Sequence, residues 1–168
     1  MGIALDTRTG SPIVVLNDLE NRRALPIWIG SAEASAIIRQ MENIKSARPM
    51  THDLLHNLIQ QIGYRLDKVE INDLSSDTYY ASLFLSDNDG NEHIVDSRPS
   101  DAIALALRAE APIYVTTNVV SEGTISTDQE KDEEEAEEFR QFVQEIKPSD
   151  FNKLFGESGD IDLNTNDE

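Results

Sequence analysis

Apolar residues in the first part of the chain form short runs that are bounded by turn residues. Runs at 3–5, 12–16 and 24–29 predict three strands of an antiparallel meander, with a turn at 9–12 between the first two. Pro26 has no N–H to donate, so we expect it at a sheet edge or a bulge. Four later strands are predicted at 64–71, 78–85, 93–95 and 112–115.

Three other stretches place apolar residues at the spacing of an α-helix. They begin near Ser31, Thr51 and Ser100. We expect each of these residues, or Asp101 in the third case, to cap the free backbone N–H groups. The third helix contains the unbroken apolar run 102–107, which predicts that it is buried. Together the elements predict an α+β fold: a mostly antiparallel twisted sheet packed with two to three helices.

The composition changes near residue 121. Residues 121–168 carry 16 acidic and 4 basic side chains, which gives −12 of the chain's net charge of −18. Apolar residues recur at helical spacing from Ala136 to Ile146, which predicts a C-terminal amphipathic helix that ends at Pro148 and docks on the core or on a partner. We therefore predict a domain at 1–120, an acidic linker and amphipathic helix at 121–155, and a disordered tail at 156–168.

The overall composition excludes several classes of function. The chain has no Cys, so it has no disulfide framework, thiol catalysis or Cys-based zinc site. It has no apolar run of the roughly 20 residues that span a bilayer, and its start has no signal-peptide pattern. We expect a soluble, cytoplasmic, acidic protein. Its net charge repels nucleic acid at long range, so a phosphate substrate requires a local Arg cluster or a metal.

Two polar segments precede the second and third helices and share a layout. Residues 48–53 and 96–101 each combine an Arg-Pro pair, a hydroxyl and an Asp. Carboxylates are the ligands that Mg²⁺ and Mn²⁺ prefer, and arginines bind phosphate groups. The alternative at each position is a helix cap or a structural ion pair, and the residues alone favour that alternative. The carboxylates are Glu33, Asp53, Asp96 and Asp101, and the arginines are Arg48, Arg98 and Arg108.

Histidine and tryptophan residues offer weaker signals. His52 and His56 nearly match the H-E-x-x-H zinc motif, with Asp in place of Glu, and His93 is the only other His. We prefer to interpret His56 as a surface residue of a helix. Trp28 is the only Trp and lies in a predicted strand, which favours core packing over base stacking. These patterns alone do not define a reaction.

Four segments, in this order, resemble the bifunctional nuclease domain family. They are Leu25 to Gly30 (LPIWIG), Glu33-Ala34, Arg48 to Leu54 (RPMTHDL), and Asp96 to Ala106 (DSRPSDAIALA). The resemblance covers about residues 1–120 and implies a cytoplasmic, oligomeric α+β domain. It also implies nuclease activity on both DNA and RNA without marked sequence preference. His56 lies outside the family's pattern, which weakens the zinc interpretation further.

The resemblance places these polar residues in a nuclease that hydrolyses phosphodiester bonds with the help of divalent Mg²⁺ or Mn²⁺. The alternative is a non-enzymatic binding or regulatory module, with the core as a scaffold and the C-terminal helix as a partner contact. For the nuclease, we expect His52, Asp53, Asp96 and Asp101 to be catalytic, Arg48, Arg98, Thr51 and Ser100 to bind the substrate, and Glu33, Asp53 and Asp101 to hold the metal.

Overall fold

Two four-stranded sheets frame residues 1–126, the part of the chain that the computed structural model describes. The α+β prediction is confirmed, although the strands divide between two sheets. The first sheet is antiparallel and orders β1 (Gly2–Leu5), β2 (Pro12–Asn17), β3 (Arg23–Trp28) and β8 (Ile125–Ser126). The second orders β6 (Glu92–Ser97), β5 (Thr78–Asp87), β4 (Tyr64–Ser75) and β7 (Ile113–Val115), with only β7 parallel to its neighbour.

The helices are α1 (Ser31–Met41), α2 (Thr51–Gln61), α3 (Pro99–Ala109) and α4 (Thr117–Gly123). The capping predictions for Ser31, Thr51, Ser100 and Asp101 were wrong. The residues at the N-cap positions are Gly30, Met50 and Arg98, which have extended backbones and make no side-chain capping bond. Pro99 follows directly at the first position of α3, where its missing N–H costs nothing.

Helix α3 lies at the centre of the core. It packs against α1, α2, β4 and β5, and residues 102–106 are all buried, as the apolar run predicted. One apolar cluster joins α3 to both sheets through side chains such as Leu25, Ile71 and Ile103. The close packing around α3 holds the helix in place, so the polar residues at its two ends have fixed positions.

Strand β3 is only partly covered by its outer neighbour, β8, which affects Pro26 and Trp28. Strand β8 pairs only with Arg23 and Ala24, so β3 has no second neighbour at Pro26 within residues 1–126, in agreement with the edge prediction. The core prediction for Trp28 was wrong. The residue is 55% exposed, and its indole N–H donates to Asp6 Oδ2 at 3.2 Å. Trp28 is the last residue of β3, where the sheet no longer covers the ring.

Residues 116–126 contain two elements that the sequence did not predict. Helix α4 buries Val119 against the core, and β8 then joins the first sheet, so ordered structure continues across residue 121. The predicted amphipathic helix at 136–146 and the predicted disordered tail lie outside the described residues. Over the described part of the chain, every helix is too short or too polar to cross a membrane.

Candidate functional site

A chain of hydrogen bonds joins the first turns of α1, α2 and α3. His52 Nε2 lies 2.9 Å from Asp101 Oδ1, and Arg98 Nε donates to Asp101 Oδ2 at 2.8 Å. Arg98 Nη2 in turn lies 3.0 Å from Glu33 Oε1. Asp101 is thus held between a histidine and an arginine. We call these four residues, Glu33, His52, Arg98 and Asp101, the helix-mouth cluster.

The backbone explains why these side chains meet. Glu33 and Asp101 lie in the first turns of α1 and α3, where the helix dipole favours a carboxylate. Gly30 leaves room for Glu33, because a Cβ at Gly30 would collide with the present position of the Glu33 carboxylate. Three helix N-termini therefore converge, and their free N–H groups favour negative charge nearby.

The electrostatics of the cluster favour the charged forms of Asp101 and Arg98. Partial burial raises the pKa of Asp101, but hydrogen bonds from Arg98 and His52 outweigh it and hold that pKa below its ordinary value. The hydrogen bond to Asp101 raises the pKa of Arg98, with Glu33 adding to the effect. The Arg98 side chain is nevertheless 66% exposed, so its guanidinium also faces solvent. The cluster can therefore present a positive group to an anion.

Asp53 belongs to a second, structural pair. Arg108 Nε donates to Asp53 Oδ1 at 2.6 Å, and the Met50 N–H donates to Asp53 Oδ2 at 2.8 Å. Arg108 also donates to the backbone carbonyls of Ala104 and Ala36, so it ties α3 to α1 and α2. The Arg108 side chain is only 6% exposed. Of the two interpretations of Arg108, the structure therefore supports the structural ion pair that the sequence favoured, and not the phosphate ligand.

Four further predicted residues lie outside the helix-mouth cluster. Arg48 and Thr51 are exposed at the start of α2, and Asp96 is exposed near the end of β6. Ser100 is buried in the first turn of α3. Arg48 and Asp96 make no side-chain hydrogen bond or ion pair with any residue of 1–126, so both remain available to a ligand. Their predicted roles stay predictions.

The carboxylates predicted to hold a metal do not form a preformed metal site. Glu33 and Asp101 both pair with Arg98, and Asp53 pairs with Arg108. Across residues 1–126, no group of three or more His, Asp or Glu side chains is placed to hold a metal ion. The donor set therefore does not fit a bound Mg²⁺ or Mn²⁺ as it stands, and the metal requirement remains a prediction.

His56 lies one turn beyond His52 on α2 but in a different environment. It lines an open cavity of about 470 Å³ together with Gln60, Tyr64 and Asn88. The third histidine, His93, packs edge-on against Tyr64. The three histidines thus belong to separate contacts, which gives the zinc-motif interpretation no support among the described residues.

Acidification is expected to destabilise the fold through Asp53 and Asp101. Both carboxyl groups have a folded-state pKa below their ordinary value of 3.8. For Asp53, burial raises the pKa, but the Met50 N–H and Arg108 outweigh it. A depressed folded-state pKa means that the stabilisation is complete above 3.8 and is lost as the pH falls through the folded-state value.

Urea unfolding measured from pH 7 down to pH 2 checks this expectation. Asp53→Asn should be less stable at neutral pH and should lose less of its remaining free energy of unfolding below pH 4 than the unmodified chain. Parallel curves for the two proteins would contradict the assignment to Asp53.

Comparison with known proteins finds a matching family model and several similar proteins. The sequence model of the bifunctional nuclease domain matches residues 14–128. An uncharacterised protein of Mycobacterium tuberculosis is 37% identical over 159 residues, which cover 90% of this chain and 94% of that protein. Bifunctional nuclease 1 of Arabidopsis thaliana is 31% identical over 113 residues, 61% of this chain and 35% of the plant protein. Bifunctional nuclease 2 of Oryza sativa subsp. japonica is 34% identical over 107 residues, 62% of this chain and 33% of the plant protein.

Proposed function

Because this chain belongs to the bifunctional nuclease domain family, we propose that it hydrolyses phosphodiester bonds in both DNA and RNA, with little sequence preference. The plant relatives that it matches are named bifunctional nucleases, although they match over only about a third of their own length. The single observation that carries the proposal is the helix-mouth cluster, in which residues from three of the family-like segments form one hydrogen-bonded unit.

His52 is the proposed general base. Its Nε2–H donates to Asp101, which fixes the ring and leaves the Nδ1 lone pair to accept a proton. Nδ1 makes no hydrogen bond within residues 1–126. In the proposed step, Nδ1 takes a proton from a water molecule whose oxygen bonds to phosphorus. The bond from phosphorus to the departing oxygen breaks, and that oxygen takes a proton from solvent.

Arg98 is the proposed partner of the scissile phosphate. Asp101 and Glu33 position its guanidinium, and the exposed N–H groups donate to phosphate oxygens as charge develops on them. Arg48, exposed at the start of α2, supplies a second positive charge for a neighbouring phosphate. Glu33 and Asp101 offset the charge of Arg98, so Arg48, which pairs with no carboxylate of residues 1–126, supplies the unpaired positive charge that a protein of net charge −18 needs in order to bind nucleic acid.

Replacing Arg98 by Ala is expected to lower kcat/KM for nucleic acid about 10- to 100-fold, because the phosphate loses a charged donor at the reacting centre. Cleavage of 5′-labelled single-stranded RNA and DNA by the full chain measures this effect. Arg65→Ala is the matched control, since Arg65 pairs with Asp67 on β4 and makes no hydrogen bond or ion pair with the four residues of the cluster. An equal loss in both variants would count against the role of Arg98.

The same assay tests the metal prediction. If EDTA abolishes cleavage and Mn²⁺ or Mg²⁺ restores it, the reaction is metal-assisted. The metal then binds together with the substrate, or after the carboxylates rearrange. Cleavage that persists in EDTA shows that the reaction needs no chelatable metal. Either outcome leaves the nuclease proposal standing, whereas absence of cleavage under all these conditions contradicts it.

A second candidate function is that of a non-enzymatic binding module. It is favoured by the pairing of Glu33, Asp53 and Asp101 with arginines, since such ion pairs hold helices together without any catalytic role. Homo-oligomerisation and a cytoplasmic location remain predictions under either function. A purified chain that binds labelled nucleic acid or a protein partner but never cleaves would favour the binding module.

A further inference from the structure

Helix α2 carries an apolar stripe that no residue of the described domain covers. Ile59 is the only buried residue of the helix. The rest of its apolar face, with the N-cap and C-cap residues, carries large apolar side chains that are exposed, four of them by at least half. We call these residues the α2 stripe: Met50, Leu54, Leu55, Leu58 and Ile62.

The stripe and the buried residue belong to one apolar face of the helix. At about 100° per residue, Leu54, Leu58 and Ile62 follow one another along a single line, and Leu55 lies one turn before the buried Ile59 on the same side. Most of the polar residues of α2 occupy the other side. The apolar face of an amphipathic helix is normally packed against a neighbour, whereas most of this face is exposed in the described domain. The α2 stripe is therefore a candidate docking surface.

We propose that residues 136–146 of this same chain cover the α2 stripe as an amphipathic helix. Within this segment, Phe139, Phe142, Val143 and Ile146 recur at spacings of three and four residues, which places them on one side of a helix. Two aromatic and two branched aliphatic side chains match the leucine-rich α2 stripe in size and polarity. Antiparallel or parallel packing of two such faces is the ordinary helix–helix contact of soluble proteins.

The intervening chain gives the proposed helix a reach comparable with the width of the described domain. The described domain ends at Ser126 in β8, and residues 127–135 separate it from the proposed helix. Nine residues extend up to about 30 Å, which is comparable with the diameter of a domain of this size, whose radius of gyration is about 14 Å. A shorter connection would confine the segment to the neighbourhood of β8.

Charge complementarity supports the same occupant. Lys45 and Arg48 are exposed just before α2, and neither forms an ion pair with another residue of the described domain. The sequence at 128–138 is dominated by Asp and Glu. Docking of the apolar side places this acidic run within reach of the two cations, a contribution that salt weakens.

Disulfide trapping tests the proposal in the full chain. Because the chain contains no Cys, two introduced residues report only on each other. The test pair is Leu58→Cys with Phe142→Cys, and the matched control is Leu58→Cys with Gln144→Cys, which lies on the opposite side of the proposed helix. Leu58 is exposed, so its replacement leaves the core intact.

We expect the test pair to form an intrachain disulfide at least 10-fold faster than the control pair under a glutathione redox buffer, at a rate independent of protein concentration. Mass spectrometry distinguishes monomers from dimers. Equal rates for the two pairs would overturn the proposal, because the segment would then not contact α2 through its apolar side. A product that is only interchain would assign the stripe to a second copy, and absence of any disulfide would exclude this segment as the occupant.

Discussion

Asp101→Asn is expected to lower the rate of cleavage of both RNA and DNA by about 100-fold or more. Asparagine keeps the shape of the side chain but removes the charge that orients His52 and Arg98. A general base that loses its orienting carboxylate can adopt the wrong tautomer, and a phosphate ligand that loses its anchor is less well placed. Single-turnover cleavage of 5′-labelled substrates by the full chain measures the effect.

Asp67→Asn provides the matched control for this variant. Asp67 also pairs with an arginine, Arg65, but on the exposed surface of β4. Its replacement should leave cleavage within about twofold of the unmodified chain, because exposed ion pairs contribute little. If Asp101→Asn cleaves as fast as the control, the observed activity belongs to another site or to a contaminating nuclease.

Arg108→Met is expected to give the largest loss of stability, about 2–4 kcal/mol in the free energy of unfolding. The substitution keeps much of the buried stem but leaves Asp53 without its cation and the Ala36 carbonyl without its donor. The estimate is below that for a fully buried pair because a third of the Asp53 side chain is exposed. Urea unfolding at pH 7 gives the value directly.

Arg65→Met is the control that separates the effect of burial from that of the ion pair itself. Arg65 donates to Asp67 at 2.7 Å, close to the distance in the Arg108–Asp53 pair, but the Arg65 side chain is 79% exposed. We expect it to change the free energy of unfolding by less than about 1 kcal/mol. Similar losses in the two variants would show that Arg108 is not the tie between α1, α2 and α3 that its contacts indicate.

The sequence predicted the elements well where one local pattern decides them. The run 102–107 is apolar on every side, so a buried helix was the only favourable outcome. Pro26 marked a strand edge because proline cannot donate to a ladder. The N-cap predictions were wrong because each helix begins one or two residues before the position that its Ser or Thr suggested. The N-cap of α3, for example, is Arg98 and not Ser100.

Other features depend on the packing of the folded chain, which a local sequence pattern does not reveal. His52 and Asp101 are 49 residues apart in sequence, and only the packing of α2 against α3 makes them neighbours. Trp28 was expected in the core from its type and its strand, yet its position at the strand end exposes it. The α2 stripe has the spacing of a core face, and the sequence does not say that Ile59 alone on that face is buried in the described domain.

The most direct measurement of the central claim is a double-variant cycle between His52 and Asp101. The claim is that the two residues act as one unit in phosphodiester cleavage. The rates of cleavage of single-stranded RNA by His52→Gln, Asp101→Asn and the double variant are compared with that of the unmodified chain. If the unit exists, the double variant is no slower than the slower single variant. If the two losses multiply, the residues act independently and the claim is wrong.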